Sequence, residues 1–322
     1  MTWLVTGGAG YIGAHVVRAM VADGQSVVAL DDLSTGDAAR VDRGATLERG
    51  SILDRGLVRR VLREHEVTGV VHIAGKKQVG ESVADPLLYY RENLEGLVAL
   101  LDGCRAKGVD RFVFSSSAAT YGLPDVDLVS EDTPGSPLSP YGETKLVGEW
   151  LLRDCERAYG MRVMSLRYFN VAGAATAALG DSGITNLVPM VFDRIEAGER
   201  PRVFGDDYPT SDGTCVRDYV HVADIADAHL AAARALDTGE PGATYNVGRG
   251  AGSSVLDVLR VVAEVTGRDT TPDMVARRPG DPARIVAQVD RIRAELGFCA
   301  GRDLVAMVDS AWTAWRAARD HL

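Results

Sequence analysis

Tyr141 and Lys145 stand four residues apart in a stretch whose spacing predicts a helix over 141–159, so both side chains project from one face. A phenol ordinarily loses its proton near pH 10 and is a poor base at neutrality. A neighbouring ammonium stabilises the phenolate, and lowering the phenol by about three units takes roughly 4 kcal/mol of differential interaction. Among 35 basic residues only Lys76, Lys77, Lys107 and Lys145 are lysines. Paired with ten tyrosines, they would give this spacing by chance in about one chain in eight. Ser115-Ser116-Ser117 follow the apolar triplet Phe112-Val113-Phe114, a predicted strand. A serine hydroxyl at a strand's carboxyl end can donate to a substrate oxygen or relay its proton, although serines there also serve as plain turn residues. Beside Tyr141 and Lys145, Ser117 reads as the third member of a proton-transfer set.

The opening Thr6-Gly7-Gly8-Ala9-Gly10-Tyr11-Ile12-Gly13 is a Gly-x-x-Gly-x-x-Gly run between a predicted strand and a predicted helix. Gly7, Gly10 and Gly13, with Tyr11 and Ile12 between them, let the backbone turn tightly and bring a pyrophosphate onto the helix N-terminus. Asp31 closes the next predicted strand, 18 residues past Gly13. Its carboxylate can bond both ribose hydroxyls and repels a 2′-phosphate, so the expected cofactor is NAD rather than NADP.

Positioning these groups requires alternating strands and helices. Apolar runs predict strands at 3–6, 26–30, 70–73, 112–114 and 163–166, and helices from Tyr11, from Asp54 as cap, after Pro86, and over 141–159. This alternation predicts an α/β fold, a Rossmann-type doubly wound parallel sheet covered on both faces. After Asn170 the chain turns Ala/Gly-rich and then rich in turns, which places a boundary near residue 180. Residues 1–180 form the expected NAD-binding domain, and 181–322 a smaller α/β substrate domain, some of whose segments pack back on the first.

The net charge of −10 disfavours nucleic acid and anionic membrane as partners, so an anionic substrate needs local arginines. Cys104, Cys155, Cys215 and Cys299 are far apart without a Cys-x-x-Cys pair, which predicts no metal site and a reducing, cytoplasmic compartment. Residues 1–17 carry no Lys, Arg, Asp or Glu, but glycines break the apolar run and no basic n-region precedes it, so no signal peptide is expected. No stretch reaches the roughly 20 apolar residues of a membrane span.

Together these residues resemble the extended short-chain dehydrogenase/reductase superfamily, and within it the UDP-glucose 4-epimerase family. The likeness runs through residues 6–13, 31–34, 74–82, 115–118, 139–142 with Lys145, Arg167-Tyr168-Phe169-Asn170, residues 205–210 and 213–222, and Arg277-Arg278-Pro279-Gly280-Asp281. It implies C4 epimerisation of UDP-glucose and UDP-galactose through a 4-keto sugar. Tyr141 would take the 4-hydroxyl proton with Ser117 sharing that hydrogen bond, and Lys145 would depress the tyrosine's pKa. Hydride would pass to NAD and return to the sugar's other face. The resemblance further implies that Asp32, Ile52, Lys77 and Asn93 hold the cofactor. It sets Asn170, Arg217 and Arg278 at the UDP diphosphate with Asn186 and Leu187 beside it, Phe204 at the uracil and Asp281 at its ribose. From the residues alone, Asn170 could merely end its strand, Phe204 could be core and Asp281 a turn residue. A homodimer is expected by the same analogy.

Three positions depart from the family pattern. Ser51 replaces an aspartate that touches the adenine amine, Gln288 replaces another aspartate, and Ile285 has an intermediate size where members differ in admitting N-acetylated sugars. Residues 172–182 match poorly and receive no role. Rival readings are a 4-epimerase of UDP-N-acetylhexosamine or a UDP-pentose, a 4,6-dehydratase, a net dehydrogenase, or, in another class, a non-catalytic NAD-sensing module. A dehydratase needs an acid pair where this chain has Ser116-Ser117-Ala118, and an NAD sensor has no use for Tyr141 and Lys145 together.

Overall fold

The computed structural model describes residues 1–278 and 280–319. Pro279 of the arginine motif and residues 320–322 of the expected second domain lie outside the described residues. In chain order the first part runs β1 (Thr2–Thr6), α1 (Tyr11–Ala22), β2 (Ser26–Asp31), β3 (Thr46–Arg49), α2 (Arg55–Glu64) and β4 (Gly69–His72). Next come α3 (Val79–Ala84), α4 (Pro86–Tyr89), α5 (Gly96–Lys107), β5 (Arg111–Ser117), α6 (Pro140–Tyr159) and β6 (Arg162–Tyr168). The remainder is β7 (Asn170–Ala172), α7 (Leu187–Glu196), β8 (Arg202–Phe204), β9 (Val216–His221), α8 (Val222–Thr238) and β10 (Ala243–Val247). It ends with β11 (Gly252–Ser254), α9 (Val255–Thr266), β12 (Asp273–Val275), β13 (Arg284–Ile285), α10 (Asp290–Leu296) and α11 (Leu304–Arg319).

Strands β10-β6-β5-β4-β1-β2-β3 form, in that order, a seven-stranded sheet that is parallel throughout. Its central strands are nearly continuous buried apolar runs, as strands covered on both faces must be. Helices α1 and α8 cover one face around Trp3, Val5, Val71 and Met164. Helices α2, α5 and α6 cover the other around Leu4, Val70, Phe112 and Leu152. This is the expected Rossmann-type fold. The strand order reverses between β1 and β4, and the crevice outside the carboxyl ends there is where such sheets bind ligands.

The sheet draws on residues well past 180. Strand β10 pairs with β6, and α8 packs against α1 and β5. The smaller layer is built from β7, β9, β11 and β13, with β8 paired to β12, and packs α7, α9 and α11 around Phe192, Val262, Met307 and Trp315. Short connections join the two layers: β6 runs into β7, β9 into α8, and β10 into β11.

Local chemistry sets the element ends. Asp54 accepts a hydrogen bond from the Leu57 amide and caps α2, as expected. Ser139 caps α6 by accepting from the Gly142 amide, and Pro140 takes the first helical position, where its missing N–H costs nothing. The helix expected after Pro86 is interrupted, because residues 90–95 widen into a π turn between α4 and α5. Asn93 lies in that turn and holds it with three side-chain hydrogen bonds, two to Lys76 and one to Thr144. Strand β3, Thr-Leu-Glu-Arg, was not expected from its composition; it is a polar edge strand that β2 recruits.

Candidate active site

Strand β5 extends through all three serines, so the period of two distributes their side chains. The Ser115 hydroxyl meets Nε2 of His229 on α8 at 2.8 Å, whereas the Ser116 hydroxyl donates to Glu149 on α6, across the sheet. Ser117 ends the strand, where its Oγ accepts from the Ala119 amide at 3.1 Å and its hydroxyl lies beside the phenol of Tyr141. Tyr141 and Lys145 lie on the first turns of α6, both buried. Gly142 permits this close approach, since a Cβ there would come within 2.6 Å of the Ala119 carbonyl oxygen. The Tyr89 ring, 6.5 Å away and edge-on, braces the Tyr141 ring from α4.

The electrostatics differ from the expectation in one respect. Burial pushes the Tyr141 phenol above its ordinary range, and the neighbouring Ser117 hydroxyl works the other way. The Lys145 ammonium, expected to lower that phenol, donates instead to the Ser115 carbonyl at 2.8 Å and sits 5.1 Å from the centre of the Phe114 ring. The ammonium is itself desolvated: burial drags Lys145 from 10.5 to about 8, with Glu149 opposing the drop. In the protein alone, two adjacent groups are thus each pushed towards their neutral forms.

The glycine run forms the cradle the sequence implies. Gly7 has φ +71°, and a Cβ on Gly13 would fall 1.9 Å from the Gly7 carbonyl oxygen. Gly10 caps α1 without any side-chain hydrogen bond, and the first turn holds no acidic residue. The amides of Tyr11, Ile12 and Gly13 therefore face the crevice as an uncapped positive helix end, which fits a dinucleotide's pyrophosphate. At the end of β2, Asp31 is oriented by the amides of Ala9 and Leu33, each at 2.9 Å. Asp32 accepts from the Ser34 amide, and Ile52 packs beneath Gly96. Ser51 Oγ accepts from the Leu53 amide, a local turn bond in place of the family's aspartate. Lys77 is exposed at the crevice edge, while Asn93 lies under the same loop and fixes it through the Lys76 backbone.

In the second layer, Arg217 is braced by the carbonyls of Val216 and Pro282 and pairs with Asp281 at 3.4 Å. Arg278 stacks 3.7 Å above the Phe204 ring. Asn186 precedes α7, whose first turn has no side-chain cap, with Leu187 at its first position; Asn186 Nδ2 donates to the Asp181 carboxylate at 2.6 Å. Asn170 opens β7 and is exposed. Segment 172–182, given no role from sequence, is tied down by Tyr11 to the Gly173 carbonyl, His15 to the Ala175 amide and Arg40 to the Gly180 carbonyl. It walls a cavity of about 320 Å³ between α1, α7 and α11, separate from Tyr141. Among the described residues no group of three His, Cys, Asp or Glu is placed to hold a metal ion, and no helix is long and apolar enough to cross a membrane.

The sequence reading missed the buried polar groups behind the site. Glu149 and Arg167 form a bidentate pair, and Arg167 also donates to Tyr121 at 2.9 Å. Tyr121 in turn donates to Asn246 on β10. The signal was present in part, since Tyr141, Lys145 and Glu149 continue one helical face at steps of four.

The NAD dependent epimerase/dehydratase family model matches residues 3–248. The chain is 44% identical over 319 residues to the UDP-glucose 4-epimerase of Azospirillum brasilense, covering 97% of this chain and 91% of that protein. The fold superimposes with a TM-score of 0.96, at 38% identity and over 100% of both chains, on a UDP-glucose-4-epimerase from Stenotrophomonas maltophila with bound NAD and formylated UDP-arabinopyranose. A UDP-glucose 4-epimerase from Brucella ovis in complex with NAD gives 0.93 at 38% identity, over 96% of this chain and 97% of that one.

Between pH 8 and 10.5 the unfolded chain keeps Lys145 protonated while the folded chain releases the proton, so this group's contribution to stability rises with pH across that window. Urea unfolding of the parent and of Lys145→Met should therefore diverge in the parent's favour by up to about 3 kcal/mol over that range. Parallel pH profiles would show that the ammonium is not desolvated.

Proposed function

This chain belongs to the NAD dependent epimerase/dehydratase family, and on that premise we propose that it is an isomerase interconverting UDP-glucose and UDP-galactose by epimerisation at C4 through a 4-keto sugar. One observation carries the reading: Ser117, Tyr141 and Lys145 converge at the carboxyl edge of the sheet, beside the glycine cradle at the switch point. The cofactor is NAD, which when bound supplies the hydride acceptor and a positively charged ring. The chain's own residues do the proton chemistry. Tyr141 Oη takes the proton of the sugar 4-hydroxyl, Ser117 Oγ shares that hydrogen bond, and the Lys145 ammonium stabilises the phenolate.

In this reading the sheet, residues 1–180 with the returning strand β10 and helix α8, holds NAD through the Gly7–Gly13 cradle, Asp31 and the Lys77 loop. Residues from 181 onward grip UDP. The N-terminus of α7 and the forks of Arg217 and Arg278 suit diphosphate oxygens, and the Phe204 ring under Arg278 offers an apolar plate for uracil. A chain of net charge −10 needs such local cations for an anionic substrate.

The protein is further proposed to be a cytoplasmic homodimer. Its four cysteines are all free thiols, which suits a reducing compartment. Leu87, Tyr90 and Val98 are exposed along the α4–α5 run, and Trp150 on α6. The Tyr90 hydroxyl donates to Glu143, so the two helical runs lie side by side and present these apolar groups on one helix pair. A second copy facing it through a two-fold axis would cover them.

Three measurements test this reading. Tyr141→Phe should lose 10²–10⁴-fold in epimerisation, the range of a general base, in a proton NMR assay of UDP-glucose, UDP-galactose, their N-acetyl forms and UDP-xylose. Near-normal turnover in that variant removes Tyr141 from the chemistry, and exclusive turnover of an N-acetyl or pentose sugar moves the substrate assignment. Arg278→Ala should weaken UDP binding by more than about 1 kcal/mol in calorimetry, and an unchanged affinity rules out the phosphate contact. Trp150→Glu should sediment as a monomer where the parent sediments as a dimer; a parent that is itself monomeric ends the dimer proposal.

A further inference from the structure

Lys145 must be cationic to serve Tyr141, yet the fold gives it little that favours a charge. His72 faces it from β4; from β5 come the Phe114 ring and the Ser115 carbonyl. On α6 its neighbours are Tyr141 and Glu149, and Tyr168 and Arg167 stand at the end of β6, with His229 beyond Ser115 on α8. Burial takes His72 to about 3 and His229 to about 4, so both rings are neutral. Burial also holds the Tyr168 phenol protonated. Arg167 is cationic, its proton secured by the Glu149 carboxylate against the pull of burial. The anion in this shell is Glu149.

The position of Glu149 is fixed by three hydrogen bonds from two residues. Arg167 donates to Oε1 through Nε at 2.9 Å and to Oε2 through a terminal nitrogen at 2.5 Å. The Ser116 hydroxyl donates to Oε1 as well. Both members of the ion pair are almost entirely shielded from water, with side-chain exposures of 9% for Arg167 and 8% for Glu149. The guanidinium is held in turn by the Tyr121 hydroxyl and the Glu131 carbonyl, and lies 4.8 Å from the centre of the Tyr121 ring. A buried ion pair is a poor device for stability alone, since well-packed apolar residues of the same volume do as well or better. Its use here is geometric. It locks one turn of α6 to the ends of β5 and β6, and these three elements carry Lys145, Ser117 and Tyr168.

We propose that Glu149 is a positioning residue of the epimerisation, supplying a fixed negative charge one helical turn from Lys145 and, through Ser116, holding the strand end that bears Ser117. This rests on the reading of Tyr141 and Lys145 as the proton-transfer pair. Glu149 touches neither sugar nor cofactor; it acts on Lys145 through the interior, where charges are weakly screened.

With only four lysines in the chain, the Lys145 signal can be followed directly in full-length protein labelled with 13C-lysine, assigned by its loss in Lys145→Met. In Glu149→Gln its titration midpoint should fall by about one unit from the parent's, and the alkaline limb of kcat should move down with it while KM changes less. Because Glu149→Gln leaves the Arg167 charge unpaired in the interior, the double variant Glu149→Met/Arg167→Met provides a well-packed apolar replacement and should show a smaller fall in the same direction, since the opposing Arg167 charge goes with it. A folded variant of either kind whose Lys145 midpoint matches the parent's overturns the proposal, even if it melts lower, because a purely structural pair would change stability and leave that signal in place. Absence of epimerisation in the parent would defeat the functional reading instead, and the lysine titration would still decide the role of Glu149.

Discussion

A single ammonium kept out of water at the carboxyl edge of the sheet organises the chemistry of this protein. An isolated buried charge is costly, and the usual outcome is that the group neutralises itself. Lys145 stops short of that because the Ser115 carbonyl accepts from it, the Phe114 ring lies within cation–π reach and Glu149 opposes the drop. Each support comes from a rigid element: the strand β5 for the first two, the helix α6 for the third. The same desolvation that strains the lysine raises the phenol beside it. Burial alone thus pushes both groups towards their neutral forms.

The two histidines behind the site show how much of this arrangement is deliberate neutrality. His229 donates from Nδ1 to the Ile225 carbonyl within its own helix, which leaves Nε2 to accept from Ser115. His72 stacks on Phe114 and is bonded to the Thr6 hydroxyl. Both are too well buried to carry a proton near neutrality, so they shape the site without titrating in it. Thr6 also reaches the amides of Ile73 and Ala74, tying β1 to β4 where the cofactor crevice opens.

What the sequence revealed and what it hid divide along a physical line. The central strands, the glycine turn, the cap at Asp54 and the Tyr141–Lys145 spacing were legible because each is set by local rules of period, φ and capping. Strand β3 was not, because an edge strand of Thr-Leu-Glu-Arg owes its conformation to β2 rather than to its own side chains. The π turn at 90–95 was hidden for a similar reason: the contacts of Asn93 with Lys76 and Thr144, 17 and 51 residues away, favour a geometry that local propensity does not. The burial of Tyr141 and Lys145 was hidden as well, because spacing along one helix cannot report it. Glu149 occupied the right position in the repeat, but its partners Ser116 and Arg167 come from two other strands.

The contrast between the two sides of the cleft fits the demands of a reaction that removes and returns hydride at one carbon. On the sheet side, Ser117, Tyr141 and Lys145 are buried and held by backbone atoms, by a neighbouring ring and by an ion pair that is itself enclosed. On the other side, Asn170 and Arg278 are exposed, and Arg217 and Asp281 spend part of their capacity on each other. Proton transfer tolerates little misplacement, since a hydrogen bond weakens steeply with angle and distance. A 4-keto sugar that must present both faces to one hydride carrier needs the opposite, a grip on its nucleotide handle that leaves the ring free to turn. The fold suits both needs in the proposed reading, with the first set on a seven-stranded sheet and the second on short strands and the uncapped start of α7.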